Sequence, residues 1–218
     1  MLYFVLIRLG EDKMKRFAKV YIEISNICNL KCSFCPGTTR SPKRMNTDEF
    51  KIVLEKIKDY TDYIYFHLLG EPLCHPDLET FLQIAEEMNF KVIITTNGTL
   101  LNKCKDILLN SNSHYKTVIS LHSFEANDNK ISFENYLNDC FSYAKSAENK
   151  KIVVLRLWNN GGKDTLNNDI LNVLEDYFPK PWNEERNGTR IGEKIYIQYG
   201  DKFDWPTLES DNINENVF

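Results

Sequence analysis

Several classes of protein are excluded by what this sequence lacks. No apolar run approaches the roughly 18 residues of a membrane-spanning helix, and the apolar run at residues 2–7 is too short, and lacks the basic flank, for a secretory leader. Nine glycines and seven prolines in 218 residues exclude collagen-like and low-complexity composition. No block of like charge exceeds a few residues, and 27 Lys+Arg against 31 Asp+Glu leave a net charge of −4. Nothing in the bulk charge therefore draws the chain to nucleic acid or to an anionic membrane. What is present is 42% hydrophobic, 27% charged and 12% aromatic residues, enough to bury the core of one domain, with or without a fragment of a second. A cytoplasmic location is expected. In that reducing compartment six cysteines read as metal ligands, reactive groups or core filler rather than as three disulfides.

Short β-branched or aromatic runs alternate with longer stretches of helical period, the pattern of repeated βα units. The runs at 19–24, 63–68, 91–95, 117–121, 151–157 and 194–198 are expected as strands. Helices are expected at 78–88, 100–109, 132–147 and 166–177, preceded by one that Asn46 caps, with Glu49 reaching back and Phe50, Val53, Leu54 and Ile57 on one face. The fold class is α/β, with parallel strands and right-handed crossovers forming an open sheet or a partial, TIM-like (β/α)6 barrel. In either form function sits at the C-terminal ends of the strands. The segments at those ends are 25–36 with three cysteines, Leu69-Gly70-Glu71-Pro72, Thr96-Asn97-Gly98, His122-Ser123, and Arg156 with Trp158-Asn159-Asn160. Residues 1–14 read as an extension, 15–200 as the core and 201–218 as an acidic, aperiodic tail. Met14 is a second possible start, so the preceding residues are expected to be dispensable for metal binding.

Cys28, Cys32 and Cys35 form a Cys-x3-Cys-x2-Cys spacing directly after the first of these strands. With six cysteines placed at random this triplet would arise in roughly 0.004 of such chains, so coincidence explains it poorly. Three thiolates on one loop can wrap a soft centre, and a four-iron cube so held keeps one iron without a protein ligand. Alternatives are a zinc site completed by Cys74, His67 or His75, or three unliganded cysteines in a turn. Gly70-Glu71-Pro72 alone is a tight turn before a helix, and Asn97-Gly98 alone is a turn signal. Arg156, between Leu155 and Leu157, needs an anionic partner, either a structural carboxylate or a ligand. Cys104 and Cys140 read as buried small hydrophobes, Cys74 as packing, and His122 as a satisfied hydrogen-bonding residue. Arg40, Lys43 and Arg44 read as a solvated basic face.

The cysteine triplet with Phe34 before its last member, followed one strand later by Leu69-Gly70-Glu71-Pro72 and His75-Pro76-Asp77-Leu78, resembles the radical S-adenosylmethionine (radical SAM) superfamily. Leu69 replaces the first glycine of the family's turn. The resemblance covers roughly 15–200 and implies an enzyme whose [4Fe-4S] cluster is held by Cys28, Cys32 and Cys35. S-adenosylmethionine would be held by Phe34, Gly70, Glu71, Asn97, Ser120 and Arg156. In this scheme the turn at Gly70-Glu71 takes the methionine ammonium through Glu71 or backbone carbonyls, and Arg156 takes its carboxylate. Asn97 and Ser120 orient the nucleoside. Reductive cleavage would give a 5′-deoxyadenosyl radical that takes hydrogen from a peptide or small metabolite, with a one-electron donor protein as partner and no role for nucleic acid or membrane.

Within the family the chain looks most like members with a C-terminal cysteine-rich SPASM-type extension. No cysteine follows Cys140, however, so auxiliary clusters have no ligands in these 218 residues. The resemblance leaves two alternatives beside such an enzyme. One is an activase that installs a glycyl radical on a partner, and the other is a truncated, non-catalytic metal-binding barrel.

Overall fold

Alternation along the strands decides the architecture. In the computed structural model, which describes residues 6–8, 17–127, 131–186 and 188–202, strands and helices alternate along the chain. They run β1 (Leu6–Arg8), β2 (Phe17–Ile22), α1 (Thr47–Ile57), β3 (Tyr63–Phe66), α2 (Leu78–Glu87), β4 (Lys91–Thr96), α3 (Leu101–Asn110) and β5 (His114–Ser120). Then follow α4 (Phe133–Ala147), β6 (Ile152–Asn160), α5 (Asn167–Tyr177), β7 (Asn183–Glu185), β8 (Gly188–Gly192) and β9 (Ile195–Asp201). Short 3-10 turns at Pro72–Cys74 and Leu121–Ser123 follow β3 and β5.

The strands form one sheet in the order β1-β2-β3-β4-β5-β6-β9-β8-β7. From β2 through β6 to β9 every pairing is parallel. These are the six expected strands, and five helices connect them. The sheet does not close on itself, so the molecule is the partial (β/α)6 barrel that the pattern predicts. Val20, Ile22, Ile64, Phe66, Val92, Ile94, Val153, Leu155, Ile195 and Ile197 pack in one large core with the apolar stripes of the helices. Within it Phe50 of α1 and Phe81 of α2 stack at 4.4 Å with their planes 4° apart. The opposite, concave face has a much smaller apolar cluster, Ile93, Val118 and Val154, edged by Tyr63, Tyr65, Ile152 and Tyr196.

The strand bounds move by a few residues from those expected: the first parallel strand ends at Ile22 rather than 24, and the fourth begins at His114 and gives way to the 3-10 turn at Leu121. Two features have no alternation to betray them. The β7–β8 hairpin is antiparallel and extends the sheet beyond β9, and all three residues of β7 are exposed. At the other edge β1, within the segment read as an extension, pairs antiparallel with β2, Leu6 opposite Val20 and Ile7 opposite Lys19. The remaining residues of 1–16, with Lys15 and Arg16, and the segment 203–218 lie outside the described residues. No helix among the described residues is long and apolar enough to cross a membrane.

Helix α1 begins as the sequence predicts. The Asn46 side chain accepts from Glu49 N at 2.8 Å, and Glu49 Oε2 accepts from Asn46 N at 3.0 Å. Asn46→Ala is expected to lower unfolding stability by about 1 kcal/mol. Urea denaturation should show this as a shifted midpoint with an unchanged slope.

Candidate functional site at the strand ends

Between β2 and α1 the chain makes a long excursion that is closed at its base. Asn26 accepts from Lys43 N at 2.7 Å through Oδ1 and donates through Nδ2 to Ser41 O at 2.9 Å, and Met45 N donates to Ile24 O at 2.9 Å. The three cysteines lie on this loop, Cys28 exposed and Cys32 and Cys35 half-buried. Cys35 N donates to Cys32 O at 2.9 Å in a tight turn, and Ser33 N donates to Ala126 O at 3.0 Å beyond β5. Each sulfur accepts an N–H. Cys28 Sγ receives Leu30 N at 3.4 Å and Asn97 Nδ2 at 3.8 Å, Cys32 Sγ receives Asn127 Nδ2 at 3.1 Å, and Cys35 Sγ receives Gly37 N at 3.4 Å.

Such donors are wasted on a neutral thiol and well used on a metal-bound thiolate, whose charge and redox potential they tune. Without metal, burial pushes the Cys28 thiol up, and Cys32 up to about 11 against the pull of Asn127. The donor set thus fits a multi-iron cluster. A closed zinc site would need a fourth ligand beside the three cysteines. His75 is already spent: Nε2 lies 3.0 Å from Met45 O, and Nδ1 accepts from Asp77 N at 3.1 Å. Cys104 and Cys140 are buried in α3 and α4, as expected of core residues.

The turn after β3 meets the base of the cysteine loop at backbone contact. A Cβ on Gly70 would collide with the Ser25 carbonyl, standing 2.6 Å from its carbon, so only glycine fits. Glu71 N donates to Ile27 O at 3.0 Å. The Glu71 side chain is turned into the protein, 2% exposed. Its Oε1 accepts from Leu73 N at 3.0 Å and Thr96 Oγ1 at 2.8 Å, and its Oε2 accepts from Asn97 N at 2.8 Å. Burial raises its pKa to about 7, while these three donors pull the other way. The carboxylate is therefore committed to holding the ends of β3 and β4 together. Asn97, so placed, donates to Asn29 Oδ1 at 2.9 Å and accepts from Thr99 N at 3.0 Å. Leu68 holds φ +99° just before this turn, a left-handed conformation costly for a leucine.

Ser120, the last residue of β5, and Arg156, midway along β6, are register neighbours. The Arg156 guanidinium lies 4.1 Å over the Trp158 ring and donates weakly to Gln198 Oε1 at 3.4 Å. No carboxylate among the described residues is within ion-pairing distance of it, so the structural-carboxylate reading has no candidate there. Burial lowers its pKa to about 10, still charged at neutral pH. Ser120 has no side-chain partner among the described residues. Beyond this pair lies a cavity of about 280 Å³ lined by Phe34, His122, Trp158, Gly161 and Gly162 among others. Phe34 packs on His122 at 5.1 Å, and His122 Nδ1 sits 3.2 Å from Arg156 O and 3.3 Å from Trp158 N, the satisfied histidine expected.

The basic face is less free than expected. Arg40 pairs with Glu23 at 2.6 Å, and Lys43 pairs with Glu49 at 2.6 Å. Sequence reasoning missed Asn127, which donates to Cys32 Sγ and to Ser123 O at 2.7 Å while its Oδ1 accepts from Lys31 N at 2.8 Å. A lone asparagine 95 residues from its cysteine carries no local signal.

Residues 22–152, more than half of the chain, match the family model described as "Radical SAM superfamily". The S-adenosyl-L-methionine-dependent 2-deoxy-scyllo-inosamine dehydrogenase of Niallia circulans is 29% identical over 118 residues, 50% of this chain and 46% of that protein. The tungsten-containing aldehyde ferredoxin oxidoreductase cofactor-modifying protein of Pyrococcus furiosus is 33% identical over 86 residues, 38% of this chain and 24% of that one. The chain thus spans less than half the length of these curated relatives. Among solved structures, Streptococcus suis SuiB bound to S-adenosylmethionine superposes with a TM-score of 0.62 at 18% identity, covering 87% of this chain and 42% of that one, a likeness of fold.

Glu71→Gln keeps the volume but sets an amide N–H₂ against buried donors. It is expected to cost about 1–3 kcal/mol, measured by urea denaturation. Asn127→Ala should leave the melting temperature within a few degrees, yet lower the iron retained per chain after anaerobic reconstitution and gel filtration.

Proposed function

The chain belongs to the radical SAM superfamily, and from that premise we propose that it is an enzyme in which Cys28, Cys32 and Cys35 hold a [4Fe-4S] cluster and the strand ends beside them bind S-adenosylmethionine. The observation that carries this reading is the cysteine loop itself, with three sulfurs that each face an N–H, anchored to the ends of β3, β4 and β5. When bound, the cluster supplies the electron that cleaves S-adenosylmethionine to methionine and a 5′-deoxyadenosyl radical able to take hydrogen from a substrate. The residues of this chain bind and orient.

The unpaired guanidinium of Arg156 suits the methionine carboxylate as a planar two-pronged donor. Because the Glu71 carboxylate is consumed internally, backbone carbonyls of the Leu69-Gly70 turn take the ammonium, and Glu71 positions them and Asn97. Ser120 offers its unpartnered hydroxyl to the ribose beside Arg156. Phe34 and the cavity it shares with His122 and Trp158 give the adenine an apolar wall. The half-open barrel leaves its concave face for the substrate, and an external one-electron donor reaches the cluster through the exposed side of Cys28. Holding cofactor and substrate in one cleft aligns the hydrogen transfer and keeps water away from it.

The test is anaerobic reconstitution with iron and sulfide, then dithionite and S-adenosylmethionine, with 5′-deoxyadenosine measured. The parent chain is expected to produce it and Cys32→Ala not to. Production by the Cys32→Ala protein, or a parent that assembles no cluster, would refute the reading. Arg156→Ala is expected to weaken S-adenosylmethionine binding by about 10–100-fold, the loss of a charged hydrogen-bonded pair, with iron content unchanged. Equilibrium dialysis reads the affinity directly.

A further inference from the structure

The concave face of the sheet holds more positive charge than the cofactor needs. Val118 and Val154 belong to the small concave cluster, whereas Ile119, Val153 and Leu155 belong to the helix-side core. Lys116 and Ser120, two residues either side of Val118, and Arg156, two residues after Val154, therefore share the concave face. Tyr65 edges the same cluster, and the Tyr21 ring lies 5.2 Å from Tyr65 and 5.7 Å from His67. Lys116 is paired in register with Ile152 and Ser120 with Arg156, so Lys116 is rooted four residues deeper, about 13 Å along the strand.

Lys116 is partly buried and has no hydrogen-bond or ion-pair partner among the described residues. Lys151, also half-buried, is satisfied by contrast: its Nζ donates to Ser111 O at 2.5 Å and to His114 O at 2.8 Å. The neighbours that Lys116 does feel are cations. Burial lowers its pKa, and the charges of Arg156 and then Lys19 lower it further. The acid at this end of β2, Glu23, is taken by Arg40 at 2.6 Å. His67 is held neutral, pushed down to about 4 by burial and by Arg156, and its ring nitrogens have no partner among the described residues. A fold does not gather like charges in a cleft without a counter-charge unless that charge arrives from outside.

We propose that Lys116, which stands in one register row across Ile93 with Tyr65 and Tyr21, binds an anionic group of the substrate, a carboxylate or a phosphate. Arg156 is left for the cofactor, one layer nearer the rim. Only the word substrate rests on the radical reading, since the anion subsite itself stands on Lys116 and its surroundings.

The test uses the full chain, with inorganic pyrophosphate and malonate as probes for the two anion types. The rate of acylation of Lys116 by an amine-reactive ester is followed by mass spectrometry, with exposed Lys103 as internal reference. At least one probe is expected to slow Lys116 labelling threefold or more and saturably, leaving Lys103 unchanged, and the more effective probe names the anion. In equilibrium dialysis with that probe, Lys116→Gln should weaken binding tenfold or more while Lys116→Arg retains it, both variants melting as the parent does. No protection by either anion, or unchanged binding in the Lys116→Gln protein, would overturn the proposal. Iron content and S-adenosylmethionine retention of the parent are scored separately: their failure would remove the radical reading and leave the anion subsite standing.

Discussion

The geometry of the strand ends depends on one buried carboxylate. Glu71 accepts from the backbone of its own turn at Leu73 and from the side chain of Thr96 and the backbone of Asn97 on the neighbouring strand end. Three bonds to one buried acceptor outweigh any exposed ion pair in this molecule, because burial removes competition from water. Through Asn97 the constraint passes to Asn29 and Cys28, and through Glu71 N to Ile27 on the cysteine loop. The same residue therefore fixes the turn, the adjacent strand end and one of the three loop cysteines. That is a positioning role, and it explains why an acid stands at a place with no solvent.

The cysteine loop has little structure of its own and borrows rigidity from its neighbours. Its base is pinned by Asn26 and by Gly70 packing on Ser25 without room for a Cβ, and its far side by Asn127. Each clamp belongs to a different βα unit, so the three sulfurs keep their spacing only when the parallel sheet is in register. Folding of the barrel and assembly of the ligand set are one event. Metal bound there would in turn stabilise the register.

The parallel core was legible because its strands are buried on one face and its helices carry apolar stripes of the right period. Asn46 with Glu49, and the phenylalanines that follow on α1 and α2, announce themselves locally. The cysteine spacing was legible for the same reason, since all three cysteines sit within eight residues on one loop. The edges were not. β7 buries no side chain and β8 is bounded by glycines, so their pairing rests on backbone hydrogen bonds that leave no periodic trace. Nor did the sequence disclose the orientation of Glu71, because whether an acid at a turn faces solvent or the interior depends on what Thr96 and Asn97 bring from another strand. Asn127 and Lys116 share that property: their meaning comes from partners, or from the lack of them, at long sequence separation.

The concave face shows how the fold separates stability from chemistry. A closed eight-stranded barrel fills its interior with layers of branched side chains and is a packed core. Here six parallel strands stop short of closure, and the large core lies wholly on the helix side, where Phe50, Phe81, Leu155 and Ile197 meet. Among the described residues the interior keeps a small floor of Ile93, Val118 and Val154, edged by Tyr63, Tyr65, Ile152 and Tyr196. Polar and cationic residues can then face inward without disturbing the packing that holds the sheet, since their stems rest on that floor and their heads reach an open cleft. Like charges at Lys116 and Arg156 carry a local cost, and the helix-side core is what lets the fold bear it. The large core is drawn from one face of the strands and the other is left to polar and cationic side chains, with the strand-end clamps joining the two.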